Sequence, residues 1–167
     1  MTRSSAELPR VPKGWLDSVS GADRMTSRQA PVMRMASTLD YDGATNRLTL
    51  TRGDGTVESF PAANNPDSSS KGRWPDGTYH YERHMSHPDD APDSGYGSHG
   101  NYIFSVPDRP DMGVHSGRTG RRDGAGRSGV NHATLGCIRT TDEGTAAIRD
   151  AMTSGDPVTR ITVRNNR

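Results

Sequence analysis

Residues 32–60 read VMRMASTLDYDGATNRLTLTRGDGTVESF, and this stretch constrains the fold most. Three short runs alternate apolar with polar side chains: Leu39 and Tyr41 in the first, Leu48 and Leu50 in the second, Val57 in the third. Asp42-Gly43 and Gly53-Asp54-Gly55 punctuate them. A period of two with turn residues between the runs predicts a β-meander, each strand burying one face. DGTYHYERH alternates again, with Tyr79 and Tyr81 on one face and His80 and Glu82 on the other. NYIFSVP and DMGVHS read as the next strands. AANNPDSSSKGRW, HPDDAPDSGYGSHG and the Gly/Arg-rich GRTGRRDGAGRSG read as loops. TTDEGTAAIRDAMTSGDP predicts a helix, with Thr140 and Glu143 as a capping box, Ala147, Ile148 and Met152 as an apolar stripe, and Gly155 and Pro157 as the stop. VTRITV closes as a strand, giving a mainly-β, mostly antiparallel domain with one helix near its end.

The core such a chain can build is modest. Leu, Ile, Val and Phe together fall under the roughly 20% that warns of disorder, but disorder also needs a large net charge. Here the net charge is +1, which also argues against nucleic acid as the main partner. Residues 1–31 are polar and broken by prolines, and read as a tail or a short helical extension. Residues 32–167 form the domain. No stretch is apolar enough to span a membrane. The N-terminus has no apolar h-region of a Sec signal, so the expectation is cytosolic residence, export by a dedicated secretion system, or origin in a longer protein.

Cys137 is the single cysteine, which excludes an internal disulfide and a four-cysteine zinc site. The histidines and aspartates of HYERHMSHPDD do not suggest a metal site. His80 and His84 on a continuing strand lie roughly 13 Å apart at about 3.3 Å per residue. A thiol that acts as a nucleophile needs a base or a positive field beside it. His115, at the end of the strand MGVHS, and His132, close in sequence, are the candidate bases. Gly136 lets the backbone approach a substrate, so that amides beside the cysteine can face a developing oxyanion. Taken singly, Cys137 reads equally well as a small buried hydrophobe and His115 as a surface residue.

The combination VHSG…NHATLGCIRTT resembles the catalytic signature of the L,D-transpeptidase (YkuD-like) family. There a strand ends in His-Gly or His-Ser, and a loop leads to Ser/Thr-x-Gly-Cys-Ile/Val-Arg. The short helix and the Gly155-Asp156-Pro157-Val158 strand start also look like the family, as does WPDGTYHY. The resemblance is specific over 101–163 and loose over 33–100. It implies a mainly-β, L,D-transpeptidase-like β-sandwich or mixed sheet with one principal helix after the catalytic cysteine. Cys137 would be the nucleophile and His115 the general base and later acid. Ser116 would orient the imidazole through its carbonyl. Gly136 and Cys137 would lend oxyanion amides. Thr134 would support the loop, Arg139 would shape the site or meet a substrate carboxylate, and His132 would line it. No cofactor or metal is implied.

The implied reaction is attack on the third-residue carbonyl of a peptidoglycan stem peptide with release of terminal D-Ala. A 3→3 cross-link, D-amino-acid exchange or hydrolysis follows, so that transpeptidase and carboxypeptidase activities are both implied. Leu135 departs from the family, which often has histidine there, and the His115–Cys137 loop is long and basic. Its arginines, Arg118, Arg121, Arg122 and Arg127, read either as a solvated loop or as a flap attracting stem-peptide carboxylates. These departures resemble small members that act as antibacterial toxins delivered by type VI secretion, working in the periplasm of a competitor. A cognate immunity protein is expected in that case. The alternatives are a housekeeping enzyme of wall maintenance and a non-catalytic wall-binding module.

Overall fold

A computed structural model describes residues 35–167; the tail expected over 1–31 lies outside the described residues. The three alternating runs form β1 (Ser37–Asp42), β2 (Arg47–Thr51) and β3 (Val57–Ala63), paired antiparallel in order. Leu39, Tyr41, Leu48 and Leu50 all point inward and are buried, as the period of two requires. β4 (Gly77–Met85), β5 (Asn101–Phe104) and β6 (Gly113–His115) continue antiparallel. A single turn of 3-10 helix at Gly129–Asn131 precedes β7 (Ile138–Thr140), α1 (Asp142–Thr153) and β8 (Val158–Arg164).

The sheet closes on itself in the order β1-β2-β3-β7-β6-β5-β4-β8. It is mostly antiparallel, as expected, and mixed, because β8 pairs parallel with β1 and β7 pairs parallel with β6. β7 is the strand that the sequence reading misses: its residues Ile138–Thr140 run straight into the helix signal that begins at Thr140. Its parallel partnership with β6 also accounts for the long arginine-rich segment, since parallel neighbours cannot be joined by a tight hairpin and need a crossover.

The helix starts later than the Thr140–Glu143 box predicts. Thr140 belongs to β7, where its hydroxyl donates to the Pro61 carbonyl at 2.8 Å. Thr141 is the N-cap, its Oγ1 accepting from the Gly144 amide at 3.1 Å. The tertiary pull of a strand pairing thus displaces the cap by one residue. Ala147, Ile148 and Ala151 bury the inner face of α1. Elsewhere in the core, Trp74 stands edge-on to Tyr79 and Phe104, with ring centroids 5.6 and 6.3 Å away. Among the described residues no helix is long and apolar enough to cross a membrane.

Candidate active site

Strand register brings the chemistry together. Val114 lies beside Ile138 and His115 beside Arg139 in the parallel β6–β7 pair. Val114 and Ile138 are both fully buried in the core. Side chains alternate faces along a strand, so His115, Cys137 and Arg139 share the opposite face. All three line one cleft of about 190 Å³, together with Tyr96, Arg118, His132, Thr134 and Leu135. The position opposite Cys137 is Gly113, where a Cβ would run into Asn101 Oδ1 and the Tyr102 carbonyl. Its backbone turns an amide toward the sulfur.

Two neighbours fix the imidazole of His115. Its Nδ1–H donates to the Ser116 carbonyl at 2.8 Å. That selects the tautomer with the lone pair on Nε2, the form that can take a proton. Tyr96 packs edge-on against the ring at 5.0 Å, and His87 stacks on Tyr96 at 4.1 Å. Complete burial, and then the positive charge of Arg139, push the His115 pKa down to about 3. The imidazole is therefore neutral, a vacant base, at physiological pH.

Cys137 is also buried, and desolvation pushes its thiol up; the Gly113 amide, Asn101 Nδ2 (3.9 Å from Sγ) and Arg139 pull the other way. The resting pair is a thiol beside a neutral imidazole rather than a preformed ion pair.

Arg139 is 3% exposed and carries its charge without an acidic contact among the hydrogen bonds it makes. One terminal nitrogen donates to the carbonyls of Ser116 (2.7 Å) and Gly95 (3.1 Å). Nε is buried without a partner. The guanidinium fixes the carbonyl that fixes His115, and it keeps the cleft positive. Ser116 is held from its side chain too: its hydroxyl donates to Asp142 at the start of α1 and lies 3.2 Å from Thr145 Oγ1. Asp142 also accepts from the amide and hydroxyl of Ser98, which ties the Tyr96 loop to the same point.

Thr134 braces the loop that carries Cys137. Its hydroxyl donates to the Cys137 carbonyl at 2.8 Å and accepts the Gly136 amide at 3.1 Å. That second bond engages the Gly136 N–H, one of the two amides expected to face an oxyanion. Gly136 has φ +125° and lies against Met112 Sδ, so only glycine fits its backbone. His132 lines the cleft with its Nδ1 bonded to the Ala133 carbonyl at 2.8 Å. Leu135 is 66% exposed and stands between this cleft and a second of about 230 Å³ lined by Lys71, Arg109 and Met112.

The basic segment does not bring all four of its arginines to the cleft. Asp123 folds it, accepting the amides of Ala125, Arg127 and Ala133 and pairing with Arg127 at 2.9 Å. Arg121 pairs with Asp93, Arg122 donates to the Gly126 carbonyl, and only Arg118 of the four lines the cleft. Asn101, Asp142, Asn64 and Trp74 are the neighbours that sequence reasoning missed. Of these only Trp74 carried a signal, as one of two tryptophans, set in an otherwise polar loop. Among the described residues no three His, Cys, Asp or Glu side chains come together as a metal-binding group.

No protein-family model matches the chain, and no curated protein matches it. Among solved structures, Bd1075 of Bdellovibrio bacteriovorus is similar at 14% identity and a TM-score of 0.55, over 77% of this chain and 47% of that one. L,D-transpeptidase 1 of Mycobacterium tuberculosis overlaps at 21% identity and a TM-score of 0.45, over 77% of this chain and 61% of its own. An L,D-transpeptidase of Xylanimonas cellulosilytica overlaps at 17% identity and a TM-score of 0.44, over 80% and 62%. The chain spans between about half and three-fifths of the length of these structures. At such identities the likeness is one of fold.

Proposed function

We propose that this chain is a cysteine-dependent acyltransferase that acts on peptidoglycan stem peptides. The observation that carries the reading is the shared cleft of Cys137 and a His115 whose Nδ1–H is committed to the Ser116 carbonyl. A non-catalytic module would have no use for a neutral, oriented base beside its one thiol. The sequence signature around both residues supplies the substrate class.

The reaction follows from the resting protonation states. Sγ of Cys137 bonds to the carbonyl carbon of the third stem residue as its proton passes to Nε2 of His115. The electron pair of the carbonyl moves onto oxygen. Collapse expels the amine of terminal D-Ala, which takes the proton from His115, and leaves a thioester. An amine of a second stem, a free D-amino acid or water then attacks the thioester carbonyl as it gives a proton to His115; the C–S bond breaks, and Sγ of Cys137 leaves and takes that proton back. Arg139 and Arg118 keep the cleft positive, which suits a peptide ending in a carboxylate.

Mass spectrometry of muropeptides tests the reading. Wild-type protein is expected to convert tetrapeptides to tripeptides, exchanged tetrapeptides or 3→3 dimers, and Cys137→Ala to leave them unchanged. Unchanged masses with the wild type would sink it. We further propose that the activity serves as an antibacterial toxin delivered by type VI secretion and countered by an immunity protein. In that role, production with a periplasmic signal stops growth through Cys137, while production in the cytosol is harmless. Equal growth in both arms would point to wall maintenance.

A further inference from the structure

We propose that Asn64 and Trp74 are positioning residues that hold the Cys137 amide ready for the developing oxyanion. This rests on the acyl-transfer reading above. The Gly136 carbonyl accepts two hydrogen bonds, one from Asn64 Nδ2 and one from Trp74 Nε1, each at 2.8 Å. Asn64 Nδ2 also donates to the Cys137 carbonyl at 3.1 Å. Both donors are buried, Asn64 at 1% exposure and Trp74 at 0%.

A trans peptide unit is planar, with its C=O and N–H pointing in opposite directions. No described peptide bond is cis. With the Gly136 carbonyl pinned toward Asn64 and Trp74, the N–H of Cys137 is directed away from them. When Sγ bonds to a substrate carbonyl, the new negative charge forms on an oxygen one bond from the attacked carbon. The amide of the attacking residue itself is within reach of that oxygen. The neighbouring amide offers no substitute, because Thr134 Oγ1 already accepts the Gly136 N–H.

The clamp has work to do because Gly136 is the residue least able to hold a peptide orientation unaided. Without a Cβ its dihedrals resist rotation of the 136–137 peptide weakly. A flipped unit would present a carbonyl to the cleft, negative end first, where the oxyanion forms. Two donors on one carbonyl oppose that flip. The clamp is braced in turn: Asn64 Oδ1 accepts from the Trp74 amide and from Asn166 Nδ2, both at 2.8 Å.

The test compares two reactions of Cys137 in the full chain. Alkylation by iodoacetamide is a displacement that develops no oxyanion. Acylation by p-nitrophenyl acetate passes through a tetrahedral oxyanion. Trp74→Phe keeps a ring in place and removes the indole donor. Asn64→Asp keeps the acceptor for Trp74 and Asn166 and removes the amide donor. In each variant acylation is expected to fall about tenfold or more while alkylation stays within about twofold of wild type. Equal falls in both rates would make the residues merely structural, and unchanged acylation would remove the clamp; either overturns the inference. The two failures are separable. A wild type that is acylated by the ester but leaves muropeptides unchanged loses the peptidoglycan reading and keeps the clamp. A wild type that converts muropeptides, with Trp74→Phe acylated at the wild-type rate, loses the clamp alone.

Discussion

His115 carries a measurable consequence at the scale of one residue. Burial and Arg139 push its pKa down to about 3, whereas an unfolded histidine takes a proton near 6.5. Between those values the unfolded chain binds a proton that the folded chain refuses. Stability therefore rises with pH across that window and is lost as pH falls from about 6.5 towards 3. Urea midpoints measured at pH 7 and pH 4.5 check this. The drop on acidification is expected to be smaller in His115→Gln than in the wild type, and equal drops would show that the imidazole is not the group responsible. The same depression keeps the base vacant, so acyl transfer is expected to show no acid limb from His115 near pH 6.

At the scale of elements, what was legible in the sequence was what repeats. β1 and β2 showed themselves through Leu39/Tyr41 and Leu48/Leu50, and α1 through its stripe and its stop at Gly155, whereas Val57 of β3 is exposed and that strand buries Ala62 and Ala63. β7 did not show itself, because Thr140 reads as part of the helix signal and the strand takes its character from β3 and β6 on either side. The pairing claimed Thr140 and left Thr141 to cap the helix. Thr141→Ala is expected to cost about 1 kcal/mol of stability, read as a lowered urea midpoint, and Thr140→Val to leave the cap intact. In the candidate site, Cys137, His115 and the Ser116 carbonyl stood in a readable signature. Their braces did not: Asn64 and Trp74 meet Gly136 across 72 and 62 residues of chain, a pairing that no local pattern encodes. Asn101 was equally silent, as the first residue of an ordinary-looking strand.

The whole molecule links its last residues to its candidate chemistry. Asn166, beyond the end of β8, donates to Asn64 Oδ1 and to the Trp74 carbonyl at 2.9 Å, and is 6% exposed. Asn166→Ala strips two buried hydrogen bonds, for which a cost of roughly 1–3 kcal/mol is expected. It is also expected to slow acylation of Cys137 from the far end of the chain; a wild-type acylation rate in a destabilised Asn166→Ala would uncouple the tail from the site. Ring closure of the sheet has a different kind of consequence. Each of the eight strands has a neighbour on both sides, so the described domain presents no open edge to which a foreign strand could add. Any protein that captures the described domain must read side chains or loops rather than add a strand, and Leu135, apolar and two-thirds exposed between the two clefts, is one side chain it offers.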